Sequence, residues 1–360
     1  MNSITFLIAG LKGGGTERIC VTLANEFVNK GILVNLVVLS LDGAVRDKEL
    51  NSKVNLVNLN TRNTRKSFFS VKDYISKNKT KKILVFNFQL AVVLVWIRMF
   101  SDLHFKIIAR NINTLSEKSK LETNIWHKYI THFLTKVFYQ KVDLLIAQSI
   151  GMTDDLIENY RFDKNNIKII NNPVNKRIEE YKINFEQSKN NKEVLFVGRF
   201  AKAKGLKYLL EAFSLIEDKE VKLRLVGEGK EKEFLIELSK KLKIENRIIF
   251  DKFQTNIIPY FLNAKVTVLT SIYEGFPNVL VESISLGTPI VSFDCKSGPR
   301  EIIQDGINGY LVDYLNIQDL KSKLELALSI QWDNKSIIQT GQKYKIEPIV
   351  NNYIRSMAKI

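Results

Sequence analysis

The sequence has few of the residues that build disulfide frameworks or metal sites. Its 360 residues include only two cysteines and three histidines, and their spacing fits neither a disulfide scaffold nor a zinc site. We therefore interpret Cys20 and Cys295, which are far apart and lie in apolar segments, as reduced structural residues.

No apolar run in the sequence is long enough to cross a membrane. The longest run, residues 90–97, ends at Arg98 and is far shorter than the ~20 residues that a spanning helix needs. The first ten residues, MNSITFLIAG, lack the basic segment of a secretory signal peptide. We expect a cytoplasmic protein whose membrane contact is peripheral, at the inner face.

Positive charge, in contrast, is abundant. The chain has 54 Lys and Arg against 38 Asp and Glu, a net charge of +16, which favours a negatively charged partner. Residues 62–141 concentrate this charge, with 16 basic and 4 acidic side chains. Basic and aromatic residues mix at the start of this stretch: Arg62, Arg65, Lys66, Phe68, Phe69, Lys72, Tyr74, Lys77, Lys79, Lys81 and Lys82. The mixture suits an anionic membrane surface, and equally a solvated basic face whose aromatics enter the core.

Short apolar segments alternate with amphipathic ones in two successive series. Strands are expected at residues 4–9, 32–40, 83–88, 105–109 and 144–147, and again at 193–197, 222–226, 248–250, 266–269 and 289–293. The alternation predicts an α/β protein of two Rossmann-like doubly wound domains that face a cleft. We expect an N-terminal domain at 1–175, linker composition at 172–192, a C-terminal domain at 190–340, and a helix at 341–360 that packs back on the first domain.

The motif with the clearest chemistry lies in the second half of the chain. Glu274 and Glu282 enclose Gly-Phe-Pro-Asn, with a strand before them and a helix beginning near Asn278. Backbone amides at such a helix start can bind an anion, and a carboxylate one turn later can accept hydrogen bonds from a ribose. Arg199 and Lys204 follow another predicted strand and are suited to a diphosphate whose charge grows during bond breaking.

Two other glycine-rich segments do not complete a nucleotide motif. Gly13-Gly-Gly15 is not followed by the Gly-Lys-Ser/Thr of a P-loop, so ATP hydrolysis is not expected. Gly227-Glu-Gly229 lacks the third glycine of a dinucleotide fingerprint.

Several motifs resemble, in chain order, those of the family 4 retaining glycosyltransferases, which have the GT-B fold. The segment from Glu274 to Glu282, followed by Ser285-Leu-Gly-Thr-Pro289, resembles the family's donor-site signature. The resemblance spans nearly the whole chain through Gly14-Gly-Thr-Glu17, Val197-Gly-Arg199 with Lys204-Gly205, Gly227-Glu-Gly229 and Asp305-Gly-Ile-Asn-Gly309. One departure is Lys252, where the family usually has a glycine near the nucleobase, and this leaves the identity of the base open.

The resemblance implies a role for each matching residue. It implies that Glu274 positions the donor sugar and that Arg199 and Lys204 neutralise the leaving diphosphate, which makes these three the catalytic residues. The implied donor-binding residues are Gly14, Gly15, Gly198, Gly227, Gly275, Phe276, Pro277, Asn278, Val279, Glu282 and Glu301. Arg110 and Asn111 end an N-domain strand and are candidates for binding an acceptor phosphate, with a structural pairing as the alternative for Arg110.

The function that the resemblance implies is retaining transfer of an N-acetylhexosamine or a hexose from a UDP-sugar. The acceptor would be a polyprenyl-diphosphate-linked saccharide of surface polysaccharide or O-antigen biosynthesis. The sequence has no Asp-x-Asp motif, so we expect no metal, and the nucleotide sugar is a substrate rather than a cofactor. No nucleic-acid partner is expected. The alternatives are a GDP-mannose-dependent mannosyltransferase, a basic lipid- or nucleic-acid-binding protein with a degenerate site, and, more weakly, a nucleoside 2-epimerase.

Overall fold

The chain forms two compact units, which we describe from a computed structural model that covers residues 2–61, 64–120, 125–183 and 192–360. The first unit comprises Met1–Pro173 and Glu347–Ile360, and the second comprises Val174–Ile346. Arg62 and residues 184–191 of the segment with linker composition lie outside the described residues.

A parallel sheet forms the centre of the first unit. Its strands are β1 (Ser3–Ile8), β2 (Leu33–Val38), β3 (Asn55–Asn58), β4 (Lys82–Val85), β5 (Lys106–Arg110), β6 (Leu144–Ala147) and β7 (Ile167–Ile169). They are hydrogen-bonded in the order β3-β2-β1-β4-β5-β6-β7. The inner strands are buried on both faces, which explains why their sequences are apolar almost throughout.

Helices connect these strands along the chain. They are α1 (Gly15–Asn29), α2 (Phe68–Lys77), α3 (Phe88–Met99), α4 (Leu115–Lys120), α5 (Ile125–Val137) and α6 (Ile150–Tyr160). The long apolar run noted in the sequence forms α3, which is buried on nearly every side. Among the described residues, no helix combines the length and apolar character needed to cross a bilayer.

The second unit is built on another parallel sheet. Its strands are β8 (Glu193–Val197), β9 (Lys222–Val226), β10 (Ile248–Asp251), β11 (Val266–Leu269), β12 (Ile290–Phe293) and β13 (Gly309–Val312), in the order β10-β9-β8-β11-β12-β13. Its helices are α7 (Lys176–Glu179), α8 (Leu206–Ser214), α9 (Lys232–Lys241), α10 (Ile258–Asn263), α11 (Asn278–Ser285), α12 (Pro299–Ile302), α13 (Ile317–Ser329) and α14 (Asn334–Gly341). The predicted α/β class with two doubly wound sheets is confirmed.

The last helix, α15 (Ile346–Ala358), belongs almost entirely to the first unit. Tyr353 and Met357 on its inner face are fully buried there. The Lys82 ammonium donates a hydrogen bond to the backbone carbonyl of Met357 over 2.9 Å. Lys82 is therefore a packing contact of α15, whereas its neighbours Lys79 and Lys81 are exposed.

The structure corrects one predicted boundary. The strand expected over residues 83–88 ends at Val85, and Phe88 instead begins α3. The side chain of Asn87 accepts a hydrogen bond from the backbone amide of Gln89 over 2.7 Å and so caps the helix. An N-cap asparagine inside an apolar run marks a helix start, so the prediction was wrong for a recognisable reason.

Candidate active site

The predicted donor-site residues follow strands that are neighbours in the second sheet. Strands β9, β8, β11 and β12 are adjacent and parallel, so their carboxyl ends and the loops that follow lie along one edge. Arg199 and Lys204 follow β8, Gly227 follows β9, and Glu274 follows β11. The second unit alone thus brings these residues to the same edge of its sheet.

Lys204 lies in a short turn that is held against the end of β11. Gly205 ends this turn with a φ of +60°, and a Cβ at this position would lie less than 3.0 Å from the carbonyl oxygen of Thr270. The hydroxyl of Thr270 donates to the Lys204 carbonyl over 3.1 Å, and the Ile272 amide donates to the Ala203 carbonyl over 2.8 Å. These contacts fix the backbone from which the Lys204 side chain extends.

The carboxylate of Glu274 is the centre of a three-residue cluster. The Lys204 ammonium lies 2.5 Å from its Oε1, and the Ser271 hydroxyl donates to the same oxygen over 2.6 Å. The side chains of Lys204 and Glu274 are 26% and 13% exposed, so this ion pair is shielded and still reachable from solvent. We call these three residues the Lys204–Glu274–Ser271 cluster.

The backbone of Glu274 is also anchored on the side facing β12. Its amide donates to the Lys296 carbonyl over 2.8 Å, and its carbonyl accepts from the Ser297 amide over 3.0 Å. The neighbouring Cys295 is buried, and mainly this burial, with the charge of Glu274 as a second cause, raises the pKa of its thiol. Cys295 is therefore a protonated packing residue rather than a nucleophile.

Arg199 lies in the loop that follows β8. Its side chain is exposed, and we find no hydrogen bond or ion pair from it to any residue that the structure describes. Gly198, immediately before it, donates its amide to the Val226 carbonyl over 3.0 Å and so extends the β8–β9 pairing into the loop. Arg199 is thus available to an anionic ligand on the same edge as Lys204.

The segment after Glu274 begins α11, and its side chains have divergent environments. Glu282 is 5% exposed and so lies inside the second unit, one turn into the helix. Phe276 is 7% exposed, and its ring packs on Tyr344 with a centroid distance of 5.7 Å. Gly275 and Pro277 are buried, while Asn278 and Val279 are half-buried at the start of the helix. The Phe276 ring thus contributes packing, and its contact with the donor stays a prediction.

Glu301 lies on the short helix α12, after β12 and at the same edge of the sheet. Its side chain is half-buried, and its backbone carbonyl accepts hydrogen bonds from Lys343 and Tyr344, each over 3.2 Å. Burial raises the pKa of the Tyr344 phenol, which therefore stays a hydrogen-bond donor. These contacts fix the backbone of α12, and a role of the Glu301 carboxylate with the donor stays a prediction.

The candidate residues of the first unit have two distinct environments. Gly15 begins α1 and is exposed, and Gly14 is the half-buried N-cap of this helix. Arg110 and Asn111, at the end of β5, are only 2% and 1% exposed. Arg110 donates to the Tyr353 hydroxyl over 3.2 Å and to Asn172. The structural pairing left open for Arg110 is thus present, and acceptor binding by Arg110 and Asn111 stays a prediction.

Sequence reasoning missed Ser271 and Thr270 as parts of the site. Both side chains are fully buried, and both bond to groups of the Lys204–Glu274 pair. The signal in the sequence is a pair of hydroxyl residues at the end of a buried strand and three residues before a glutamate. That pattern alone does not distinguish a helix cap or a turn from a carboxylate support.

Comparison with known proteins gives matches along the full chain. An uncharacterized glycosyltransferase of Haemophilus influenzae is 27% identical, over 98% of this chain and 99% of that protein. A Campylobacter jejuni enzyme, GalNAc-alpha-(1->4)-GalNAc-alpha-(1->3)-diNAcBac-PP-undecaprenol alpha-1,4-N-acetyl-D-galactosaminyltransferase, is 25% identical over 100% of this chain and 99% of its own.

Solved structures share the fold. The lipopolysaccharide outer core galactosyltransferase WaaB in its apo form superposes with a TM-score of 0.80 at 22% identity, covering 99% of this chain and 100% of that one. Anabaena Alr3699/HepE in complex with UDP gives a TM-score of 0.81 at 18% identity, with the same coverage. These superpositions show that the chain has the GT-B fold.

Two family models complete the comparison. The model for glycosyltransferase family 4 matches residues 13–177, and the model for glycosyl transferases group 1 matches residues 177–344. Between them the models span nearly the whole chain, and the chain belongs to the family 4 glycosyltransferases.

Proposed function

We propose that this glycosyltransferase transfers an N-acetylhexosamine or a hexose from a UDP-sugar to a polyprenyl-diphosphate-linked saccharide. The second unit binds the donor and the first unit binds the acceptor. The observation that carries the proposal is the Lys204–Glu274–Ser271 cluster, with the exposed Arg199 on the same edge of the sheet. Two cations and a fixed carboxylate are what a diphosphate leaving group and a sugar hydroxyl require.

The proposed chemistry uses these charges during bond breaking. As the bond from the sugar to the diphosphate lengthens, negative charge accumulates on the diphosphate oxygens, and Arg199 and Lys204 stabilise that charge in place of a metal ion. The acceptor hydroxyl attacks the same face of the sugar that the diphosphate leaves, and the diphosphate accepts its proton. The anomeric configuration is therefore retained, and Glu274 orients the donor sugar without forming a bond to it.

The relatives favour this donor and acceptor. A Campylobacter jejuni protein that is 31% identical over 56% of this chain is named N-acetylgalactosamine-N,N'-diacetylbacillosaminyl-diphospho-undecaprenol 4-alpha-N-acetylgalactosaminyltransferase. The similar Anabaena structure contains UDP. In the first unit, Nη1 of Arg110 and Oδ1 of Asn111 are buried without a hydrogen-bond partner among the described residues. Such unsatisfied groups are costly: an acceptor phosphate could accept from Arg110 Nη1, whereas Asn111 Oδ1 needs a donor such as a saccharide hydroxyl.

UDP is expected to stabilise the protein against heat. A ligand at a hundredfold excess over its Kd adds about 2.7 kcal/mol to the free energy of unfolding, and this increase appears as a higher Tm. We expect millimolar UDP to raise the Tm of the wild type and to raise that of Lys204→Ala much less, because the variant lacks one diphosphate ligand. Differential scanning fluorimetry with UDP and GDP in parallel measures both.

The same experiment separates the alternatives. A Tm increase with GDP but not with UDP identifies the GDP-mannose-dependent alternative, which Lys252 near the nucleobase position leaves open. No increase with either nucleotide favours a basic binding protein with a degenerate donor site, and contradicts the proposal.

We further propose that the first unit attaches peripherally to an anionic membrane through α5. Four apolar side chains of this helix are exposed, which is unusual for a soluble surface: Tyr129, Ile130, Phe133 and Val137. Tyr129, Phe133 and Val137 are four residues apart and share one helix face. Lys136 and Lys141 are exposed nearby, so cations adjoin the apolar face as an interfacial helix requires. Helix α2 has no comparable apolar face: of its three aromatic side chains, Tyr74 is buried, Phe68 is half-buried and Phe69 alone is largely exposed.

Removing this apolar face is expected to weaken membrane binding. The double variant Tyr129→Ser, Phe133→Ser loses two rings that would enter the headgroup region, and we expect its affinity for vesicles containing phosphatidylglycerol to fall at least ~10-fold. Phe234→Ser is the matched control, because Phe234 is 48% exposed on α9 of the second unit. Vesicle cosedimentation measures both. Unchanged vesicle binding of the double variant would contradict the proposal and would mean that the basic stretch at residues 62–141 is only a solvated surface.

A further inference from the structure

The carboxylate of Glu274 is held by two different kinds of donor. Lys204 supplies a charged ammonium at 2.5 Å, and Ser271 supplies a neutral hydroxyl at 2.6 Å, both to Oε1. The two donors respond differently to an anionic substrate. The ammonium is attracted to a diphosphate, whereas the hydroxyl has no net charge that a diphosphate could attract.

Donor binding therefore changes the balance of forces on Glu274. A diphosphate beside Lys204 competes for the ammonium, and it also repels the Glu274 carboxylate, because like charges disfavour each other at short distance. With the ammonium shared or withdrawn, the carboxylate loses its strongest partner at the step where it must keep a defined position. A second support that does not depend on charge is then needed.

Ser271 has the properties of such a support. Its side chain is fully buried at the end of β11, so its hydroxyl is shielded from competing water. The residues on both sides are bonded: the Thr270 hydroxyl donates to the Lys204 carbonyl, and the Ile272 carbonyl accepts from the Tyr314 hydroxyl over 3.0 Å. The position of the Ser271 hydroxyl is thus set by the sheet edge and not by a ligand.

We propose that Ser271 is a positioning residue that keeps the Glu274 carboxylate oriented toward the donor sugar when the diphosphate engages Lys204. The inference rests on the proposed function, since it assumes that Glu274 contacts the donor sugar. Ser271 itself touches neither the sugar nor the diphosphate, so it acts through Glu274. UDP has the diphosphate but lacks the transferable sugar, so its binding should be insensitive to the loss of Ser271, whereas turnover of the UDP-sugar should be sensitive to it.

The test compares turnover with nucleotide binding in Ser271→Ala. We expect kcat with the UDP-sugar to fall about 10-fold, the value of one hydrogen bond to a charged group, and the Kd for UDP to stay within about twofold. Ser271→Thr, which retains the hydroxyl, should restore most of kcat. Ser292→Ala is the matched control, because Ser292 is also a fully buried serine, on β12, with its hydroxyl bonded to a backbone carbonyl.

Epistasis distinguishes a failure of this inference from a failure of the proposed function. Adding Ser271→Ala to Glu274→Ala should leave kcat at the level of Glu274→Ala alone, because the serine acts through the glutamate. An unchanged kcat in Ser271→Ala overturns the inference, as does a loss of UDP affinity equal to the loss of kcat. Near-wild-type kcat in Glu274→Ala overturns the proposed function itself. If Ser271→Ala does not fold, Ser271→Cys, with a similar size and a weaker donor, takes its place with the same expected direction.

Discussion

Replacing Lys204 with alanine is expected to lower kcat by about 10²- to 10³-fold, the cost of removing one preorganised donor from a developing negative charge. The ammonium is placed by a turn that is bonded to the end of β11, so it requires little reorganisation as the diphosphate leaves. Alanine also removes the cation that neutralises Glu274, and the carboxylate would then repel the diphosphate directly. Single-turnover kinetics with saturating donor measure the loss.

Lys202→Ala is the matched control for this prediction. Lys202 lies two residues earlier in the same turn, carries the same charge and is exposed. If the charge acts through its position, Lys202→Ala keeps kcat close to that of the wild type. Equal losses of kcat in both variants would mean that the rate depends on the overall positive charge of the second unit and not on the position of Lys204. An undiminished kcat in Lys204→Ala would mean that Lys204 is not a catalytic residue.

Replacing Gly227 with alanine is expected to destabilise the second unit by more than about 4 kcal/mol, in the range reserved for severe packing conflicts. Gly227 has a φ of +150°, and a Cβ there would lie less than 3.0 Å from the carbonyl oxygen of Gly198. That oxygen belongs to the backbone between β8 and Arg199, so it cannot move aside without opening the β8–β9 pairing. Urea unfolding followed by circular dichroism measures the change.

Gly306→Ala separates the steric conflict from backbone strain. Gly306 also has a positive φ, +75°, but a Cβ there would contact nothing within 4 Å. Its replacement should cost only the ~1–2 kcal/mol of a non-glycine residue in the left-handed region. If the two variants lose the same stability, close approach of the backbone at Gly227 is not the reason for the glycine.

The inner strands could be predicted from the sequence, whereas three of the four edge strands could not; the exception is β10, whose first three residues are apolar. Strands β1, β4, β8 and β11 are buried on both faces and read as continuous apolar runs. The strands β3, β7 and β13, which the sequence analysis does not assign, all lie at an edge of their sheet. In β3, two of the four residues are asparagine, and β7 has three residues. Edge strands need less apolar surface than inner strands, so hydrophobic periodicity did not reveal β3, β7 and β13.

In the candidate site, the positions of residues in the loops could be predicted from the sequence, and their contacts could not. The positions of Arg199, Lys204 and Glu274 in the loops after β8 and β11 follow from local sequence, because both strands are apolar runs and the three residues lie two to seven positions beyond them. Their mutual contacts do not, since the bond between Lys204 and Glu274 joins residues 70 positions apart. The burial of Phe276 and Arg110 could not be predicted from the sequence either, because it depends on partners that are distant along the chain, Tyr344 and Tyr353.

The structure also shows which of the cations in residues 62–141 have partners and which are exposed. Lys82 bonds to α15, and Arg98 and Lys106 pair with Asp143. Partial burial would raise the pKa of the Asp143 carboxyl. Hydrogen bonds from the Ile107 amide, Arg98 and Lys106 outweigh this effect and hold the pKa below its usual range. The exposed Lys79 and Lys81 remain as uncommitted surface charge. The combination of cations with an exposed apolar face occurs instead on α5, and that helix is where we expect a bilayer to bind.

The most direct test of the proposed function is product analysis with defined substrates. Purified protein is incubated with a panel of UDP-hexoses and UDP-N-acetylhexosamines and with polyprenyl-diphosphate-linked saccharides, and the anomeric configuration of the product is determined by NMR. We predict that one UDP-sugar yields a product with the configuration of the donor, that added metal chelator leaves the rate unchanged, and that Glu274→Ala turns over far more slowly than the wild type but still measurably. A product of inverted configuration, transfer only from GDP-mannose, or near-wild-type turnover by Glu274→Ala would contradict the account.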